Sequence, residues 1–376
     1  MKIGVVGQGY VGTAISKAAL NSGHSVIGIE IDSKRVIELA NAGYRVTSDY
    51  SELSDCAIVV ISVPTPLDLE RQPDLSFLER ACRSMLPFIQ SGTLVVNEST
   101  SYPGTLRNVI APILGGTYLY ASAPERVDPG NEKWNLKNTP RLVSGLTPEA
   151  TRQAVEFYKS ICDEVIEVLT PEVAEAAKLF ENTFRQVNIA LVNEFAQIAS
   201  SLNLSTFEVL GAAATKPYGF MSFLPSVGVG GHCIPVDPSY LSYVAEKVGM
   251  NAQFIKLANE VNLGMPKFVV EQIERRLGIK GKKIQVAGIA YKPGVSDTRE
   301  SPAISLIEEL RVRGAKVSWS DPFVKEFDGE VSSPISSVDI GIICTAHPGV
   351  DYSPWKNGTI VVDVSTGKDL GWPKFL

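Results

Sequence analysis

The feature that most narrows the fold stands at the very start of the chain. A short β-branched run, Lys2 to Val6, leads straight into Gly7-Gln8-Gly9-Tyr10-Val11-Gly12. An amphipathic helix is predicted over about residues 13–21, and a second strand over 25–30 ends on Glu30. A glycine triplet alone says little, but between two strands, with an acid closing the second, it specifies a dinucleotide turn in a doubly wound α/β sheet. The first glycine makes the turn, the second admits a pyrophosphate to the backbone, and the third lets helix and strand pack closely. The helix N-terminus then offers N–H groups to the phosphates. Glu30 can accept from the adenosine ribose hydroxyls and repels a 2′-phosphate, which selects NAD over NADP. The expected cofactor residues are therefore Gly7, Gly9, Tyr10, Val11, Gly12 and Glu30, with Arg35 either meeting a 2′-phosphate or standing as a solvated helix residue.

Strands recur at about residues 57–62, 93–98 and 118–121, the rhythm of a parallel sheet whose functional groups gather beyond the strands' carboxyl ends. Those ends carry Val63-Pro64-Thr65-Pro66, Glu98-Ser99-Thr100 and Ala123-Pro124-Glu125-Arg126. Three polar or kinked endings in succession indicate a lined cleft. Thr170-Pro171-Glu172 then caps a helix running to near Ser201. Lys178 and Asn182 lie four residues apart on it and share a face; read alone, they are a solvent-facing pair. Asn188 and Asn193 fit an interface or a surface equally well. A helix this long between two α/β halves is a natural spine and a natural homodimer surface.

The aromatic stretch Lys216-Pro217-Tyr218-Gly219-Phe220-Met221-Ser222-Phe223-Leu224-Pro225 is too broken for helix or strand. Base stacking and simple burial explain it equally. It leads into Gly228-Val229-Gly230-Gly231-His232-Cys233-Ile234-Pro235-Val236-Asp237-Pro238, where one cysteine sits among glycines that would let a ligand approach. On local grounds this thiol is a nucleophile or a buried turn residue. From Lys283 a smaller Rossmann-like half begins, with strands at about 284–290, 316–320, 339–344 and 359–364 and a helix at 303–313. Lys292 and Arg299, in the loop before that helix, are candidates to hold a diphosphate. With 376 residues the chain exceeds one core, and we divide it into 1–170, 171–265 and 266–376.

A net charge of -6 with no basic block argues against nucleic acid. No apolar run reaches the ~18 residues of a membrane span, and the chain enters its first strand without a basic leader, so a cytoplasmic protein is expected. Of the five cysteines, Cys56, Cys82, Cys162 and Cys344 border apolar or helical patterns and are expected in the core. The three histidines show no metal-ligand spacing, so no metal site is expected.

Taken in order, these motifs resemble the UDP-glucose/GDP-mannose dehydrogenase family over nearly the whole chain. They are Gly-x-Gly-Tyr-Val-Gly at 7–12, Val-Pro-Thr-Pro at 63–66, Glu-Ser-Thr at 98–100 and Pro-Glu-Arg-Val at 124–127. Lys178/Asn182, Gly-Gly-His-Cys-x-Pro-x-Asp at 230–237 and Asp-Thr-Arg-Glu-Ser-Pro at 297–302 complete the set. Asp-Pro-Gly-Asn at 128–131 and Met-Pro-Lys-Phe-Val at 265–269 look most like the UDP-N-acetylhexosamine 6-dehydrogenases. The resemblance implies oxidation of a UDP-sugar's C6 alcohol to a carboxylate with two NAD+, through a thioester on Cys233. It implies catalytic roles for Cys233, Lys178, Asn182, Asp237, Thr100 and Glu125. It also implies cofactor contacts from Pro64, Thr65, Thr100 and Arg299, and substrate contacts from Glu125, Arg126, Lys178, Asn182, Phe223, Leu224, Gly230 and Lys292. The chain departs from the family at Pro129, where the glucose branch has a glutamate, at Pro225-Ser226-Val227-Gly228, and at Asp363-Val364-Ser365, where Asp-x-Arg is usual. UDP-glucose is the alternative substrate. A two-electron hydroxy-acid-type dehydrogenase, which needs no cysteine, and a nucleotide-sugar sensor are alternatives of other classes.

Overall fold

The computed structural model describes residues 1–128, 131, 133–367 and 369–376. They form two compact units, Met1–Glu181 with Ser239–Met250, and Asn182–Pro238 with Asn251–Leu376.

The first unit opens with β1 (Lys2–Val6), α1 (Tyr10–Asn21), β2 (Ser25–Ile29), α2 (Ser33–Asn41), β3 (Val46–Thr47) and β4 (Ile58–Ile61). It continues through α3 (Ser76–Met85), β5 (Leu94–Asn97), α4 (Ala111–Leu114), β6 (Leu119–Ser122), β7 (Arg141–Gly145), α5 (Pro148–Ile161) and β8 (Val165–Glu167). One eight-stranded sheet results, in the order β3-β2-β1-β4-β5-β6-β7-β8. Its central strands are rich in β-branched residues and largely buried (Ile58–Ile61 and Leu94–Asn97 entirely so), as a sheet covered on both faces requires, while the edge strands β3 and β8 are partly exposed. Ile3, Val5, Val60 and Val96 pack against Ile15 of α1 and Ala154 and Phe157 of α5. The pairing is parallel except between β6 and β7. The strands β7 and β8 and the helix between them extend the sheet beyond the last strand predicted from this region. Helix α5 is nonetheless plainly signalled: Thr147 caps it by accepting from Ala150 N at 3.2 Å, and Pro148 occupies its first turn.

Helix α6 (Pro171–Ser201) is the long central helix, and the division between the units falls within it, after Glu181. It is followed by α7 (Thr206–Ala213), α8 (Asp237–Lys247) and α9 (Gln253–Leu277). The second unit's sheet comprises β9 (Lys283–Ala287), β10 (Lys316–Ser320), β13 (Ile340–Ile343) and β14 (Ile360–Asp363), with α10 (Pro302–Val312) after β9 and a small β11 (Glu326–Phe327)–β12 (Glu330–Val331) hairpin. Its order, β10-β9-β13-β14, is wholly parallel. Ile284, Val286 and Ile342 pack against Val269 and Ile273 of α9 and Leu306 and Leu310 of α10. Both halves are thus α/β layers of the Rossmann kind, as the alternation of elements implies.

Candidate active site

In the first turn each glycine has a separate reason. Gly7 has φ +89°, and a Cβ on it would lie 2.3 Å from Ser62 O. A Cβ on Gly12 would lie 1.9 Å from Gly7 O, so α1 packs on the turn only without a side chain there. At Gly9 a Cβ would meet nothing within 4 Å. That open backbone face, with exposed Tyr10 and half-buried Val11 beginning α1, fits the close approach of a pyrophosphate. Glu30 follows β2 directly. Its Oε2 accepts from Gln8 N at 2.9 Å, and its Oε1 accepts from Ile31 N and Asp32 N at 2.8 and 3.0 Å. A carboxylate keeps acceptor capacity beyond three bonds, so the acid fits a ribose as well. Arg35 is occupied locally, donating to Gln8 O, Thr13 Oγ1 and Glu38. In the loop after β4, Pro64 is exposed. Thr65 Oγ1 there is buried with no hydrogen-bond partner among the described residues, and Tyr240 OH donates to Thr65 O at 3.1 Å.

Deeper in the first unit, α6 organises the loop after β5. Lys178 is buried, not solvent-facing, and its Nζ donates to Thr100 Oγ1. One turn earlier, Glu175 accepts from Gly104 N at 2.7 Å and Leu106 N at 3.1 Å. Burial raises the Glu175 carboxyl to about 7 although those two N–H groups oppose it. Glu125, after β6, is also buried and accepts from Val127 N at 2.9 Å. Behind it lies Arg141 of β7, donating to Glu98 Oε2 at 3.1 Å and reaching Glu125 Oε1 at 3.4 Å. Tyr158 OH donates to Glu98 Oε1. Arg126 is held by Glu181 at 2.5 and 3.1 Å and by Pro140 O at 2.8 Å. The departure at Pro129 lies outside the described residues.

In the second unit, the loop 228–236 ends on α8. Cys233 is half-buried, and its carbonyl accepts from Asp237 N at 2.8 Å in the turn that opens the helix. Asp237 is fully buried and accepts from Asn182 Nδ2 at 2.7 Å. Among the other thiols, burial pushes Cys56 up to about 11 and Cys82 and Cys344 up to about 12, and it raises Cys162 too. The glycines of this loop serve packing more than ligand approach. A Cβ on Gly230 would fall 2.7 Å from Tyr291 Cβ and 2.9 Å from Glu300 O, and one on Gly231 (φ +85°) 2.7 Å from the Tyr291 ring. The loop is therefore seated on the segment holding half-buried Lys292 and exposed Arg299. Arg299 grips Asp297, at 2.6 Å from Nη2, and that bond keeps its guanidinium above its ordinary range. Helix α10 begins only at Pro302. Ser301 Oγ is buried there with no partner among the described residues.

The aromatic stretch is neither simply buried nor wholly free. Tyr218, Phe220, Met221 and Leu224 are exposed, while Phe223 meets Phe184 edge-on at 6.0 Å.

The structure thus joins Lys178 to Thr100, Asn182 to Asp237 and Glu125 to Arg141. Several residues escaped the sequence reading. Asn193, taken as interface or surface, is fully buried, donating to Asn262 Oδ1 at 2.9 Å and accepting from Ser226 N at 2.8 Å, which anchors the Cys233 loop. Arg141 had a usable signal, a lone charge opening an apolar strand. Lys374 had none: its Nζ bonds Asp363 Oδ2, Ser365 O and Ser365 Oγ at 2.8, 2.9 and 3.2 Å. It brings a cation to the strand end where Ser365 stands in place of arginine.

Residues 39–162, 172–263 and 285–366 match the NAD-binding, central and UDP-binding domains of the UDP-glucose/GDP-mannose dehydrogenase family. Residues 2–68 also match the F420-dependent NADP oxidoreductase family, over the first nucleotide turn. The chain is 33% identical to a UDP-N-acetyl-D-mannosamine dehydrogenase of Methanococcus maripaludis, over 92% of this chain and 86% of the relative. It is 32% identical to a UDP-N-acetyl-D-glucosamine 6-dehydrogenase of Pseudomonas aeruginosa, over 95% and 92%. Among solved structures, the UDP-D-ManNAc dehydrogenase of Pyrococcus horikoshii superposes with a TM-score of 0.85 at 32% identity, covering 99% of this chain and 98% of that one. With the glycine turn, the acid after β2 and all three domain matches in one chain, the protein belongs to the UDP-glucose/GDP-mannose dehydrogenase family and is an NAD-dependent nucleotide-sugar dehydrogenase.

Proposed function

We propose that the enzyme oxidises the C6 alcohol of a UDP-N-acetylhexosamine to the uronic acid in four electrons, through a thioester on Cys233. The observation that carries this reading is the hydrogen bond between Asn182 and buried Asp237, four residues past the half-buried thiol. It sets an amide donor and a carboxylate beside the nucleophile's own turn. When bound, NAD+ supplies the hydride acceptor for both oxidations. Cys233 adds to the C6 aldehyde left by the first oxidation, and the thiohemiacetal goes on to a thioester that water cleaves. Lys178 and Asn182 donate to the oxygen that gathers charge at C6, a stabilisation of ~2.7–4 kcal/mol per well-placed donor. Asp237 and Thr100 orient the water, and Glu125 faces the sugar.

Gly7, Gly9, Tyr10, Val11, Gly12, Glu30, Pro64 and Thr65 hold the cofactor in this account. The loop of Lys292 and Arg299, with Phe223 and Leu224, meets the nucleotide and its diphosphate. Functionally we keep the segments 1–170, 171–265 and 266–376. We also assign a homodimer through α6, which exposes Phe184, Leu191 and Ile198 at seven-residue spacing along one edge. None of the described helices is long and apolar enough to cross a membrane, and the proposed setting is the cytoplasm.

The test is a panel of UDP-N-acetylglucosamine, UDP-N-acetylmannosamine and UDP-glucose, with NADH and product mass followed together. Two NADH per sugar and an acid product from an N-acetylhexosamine are expected. One NADH with an aldehyde product would restore the two-electron reading. Binding without NADH would restore the sensor, and preference for UDP-glucose would change the substrate alone.

A further inference from the structure

Beneath Glu125 the first unit buries a second carboxylate, one guanidinium and a phenol, a grouping that no step above requires. The Glu98 side chain is 0% exposed, Arg141 3% and Glu125 8%. Arg141 Nη1 donates to Glu98 Oε2 at 3.1 Å, to Ala123 O at 3.1 Å and to Pro124 O at 3.3 Å, while Nη2 reaches Glu125 Oε1 at 3.4 Å. A single side chain therefore grips both the backbone and the carboxylate of the segment that presents Glu125. Its guanidinium lies 5.3 Å from the centre of the Tyr158 ring, and Tyr158 OH donates to the other Glu98 oxygen.

Charge balance gives the cluster its logic. Two ionised carboxylates against one guanidinium would leave a net negative charge buried, which is strongly disfavoured. The cluster is neutral when one acid holds a proton. We propose that Arg141 is a positioning residue that fixes Glu125 toward the substrate, and that Glu98 carries the proton that lets one guanidinium serve both acids. The proposal rests on the reading in which Glu125 acts on the sugar.

Among the described residues, the titratable groups facing Glu98 are Arg141 on β7, Tyr158 on α5, Cys162 just past the end of α5, and Glu125 after β6. Burial pushes the Glu98 carboxyl up to about 7, with Arg141 and Tyr158 opposing and Glu125 reinforcing the rise. Burial and Glu98 drive the phenol well above its ordinary range, so it keeps its proton: it donates to Glu98 when that acid is ionised, and its oxygen accepts from the Glu98 O–H when the acid is protonated. Burial works against the Arg141 charge, but Glu98 and Glu125 outweigh it and hold the guanidinium protonated.

The experiment compares Arg141→Met, Arg141→Met/Glu98→Gln, Glu98→Gln and Glu125→Gln, each assayed for kcat, for NAD+ binding by fluorescence and for unfolding. Arg141→Met alone leaves the buried Glu125 charge unpaired and Glu98 without its donor, and is expected to fold poorly. The double variant also replaces Glu98 with a neutral amide that needs no guanidinium, and kcat is compared on the fraction that its unfolding curve shows to be folded. Positioning predicts that the double variant binds NAD+ within about twofold of wild type yet loses at least tenfold in kcat. A merely structural Arg141 predicts kcat restored together with stability, and that result would overturn the positioning role. For the proton, the wild-type pH–kcat profile should carry a step near pH 7 that Glu98→Gln lacks. An unchanged profile in Glu98→Gln would remove Glu98 as the carrier. If Glu125→Gln keeps full activity, the reading of Glu125 fails and the inference with it. If Glu125→Gln loses activity while the double variant does not, the inference alone fails.

Discussion

The two halves of the molecule make the same turn with the same atoms and use it differently. After β1, Gly7 (φ +89°) donates to Ile29 O and abuts Ser62 O; after β9, Gly288 (φ +80°) donates to Ser320 O and abuts Thr345 O. Each second strand is followed by an acid that takes the N–H one residue past that glycine, Glu30 from Gln8 and Asp321 from Ile289, both at 2.9 Å. There the likeness ends. The open Gly9 corresponds to Ala290, fully buried in the core. Half-exposed Glu30 corresponds to Asp321, which is 3% exposed and bonded to His347 Nε2 at 3.0 Å. His347 Nδ1 in turn accepts from Gly294 N in the Lys292 loop. One acid accepts only from its own turn and keeps an exposed face, and the other is spent on holding a loop. A strand, a glycine and an acid thus specify the turn; the second, sterically open glycine specifies the dinucleotide.

The largest test of that distinction is Gly9→Val against Gly288→Ala. Gly9→Val should weaken NAD+ binding about a hundredfold or more while leaving unfolding within about 0.5 kcal/mol of wild type. Gly288→Ala, strained at positive φ and 2.2 Å from Thr345 O, should cost about 2–4 kcal/mol of stability with NAD+ affinity unchanged in the folded fraction. Titration calorimetry and urea melts decide both, and equal effects at the two sites would abolish the contrast.

A smaller exchange is expected at the acids. Glu30→Gln should lower NAD+ affinity by roughly tenfold, and Asp321→Asn should lower stability by about 1–3 kcal/mol while sparing NAD+.

A further contrast is one of pH, with opposite sign in the two units. Glu98 and Glu175 have folded values raised to about 7, so the folded state keeps protons that the unfolded chain has lost. Stability should therefore fall as pH rises from about 4.5 to about 7, and Glu98→Gln or Glu175→Gln should flatten that slope. Burial raises the Asp321 carboxyl, but His347 and the Ala290 and Phe323 N–H groups outweigh it and hold the acid below its ordinary range. Its contribution is present above the usual carboxylate range and is lost as pH falls through the depressed value. Urea melts across pH check both slopes.

The sheets, the long helix and the nucleotide turn were legible in the sequence because each rests on local pattern: β-branched runs, glycines at fixed offsets, Pro171 at a helix start. The motif order, by resemblance, supplied Lys178, Asn182, Cys233 and Asp237 to the proposed site. What stayed hidden depends on contacts far apart in the chain. Arg141 acquires meaning only beside Glu98, 43 residues away. Asn193 looked like any polar helix residue until its bond to Asn262, 69 residues on. Gly230 and Gly231 were read as making room for a ligand, and the room they make is largely for Tyr291. In the sequence, an absent side chain does not say which neighbour fills the space.

The central claim is covalent, and weighing the intact protein during turnover tests it most directly. Wild type and Asp237→Asn, quenched shortly after mixing with NAD+ and a UDP-N-acetylhexosamine, should carry a sugar-nucleotide acyl adduct on the peptide containing Cys233. The adduct should accumulate more in Asp237→Asn and be absent from Cys233→Ala. Acid product formed at the wild-type rate by Cys233→Ala, with no adduct in any sample, would contradict the account.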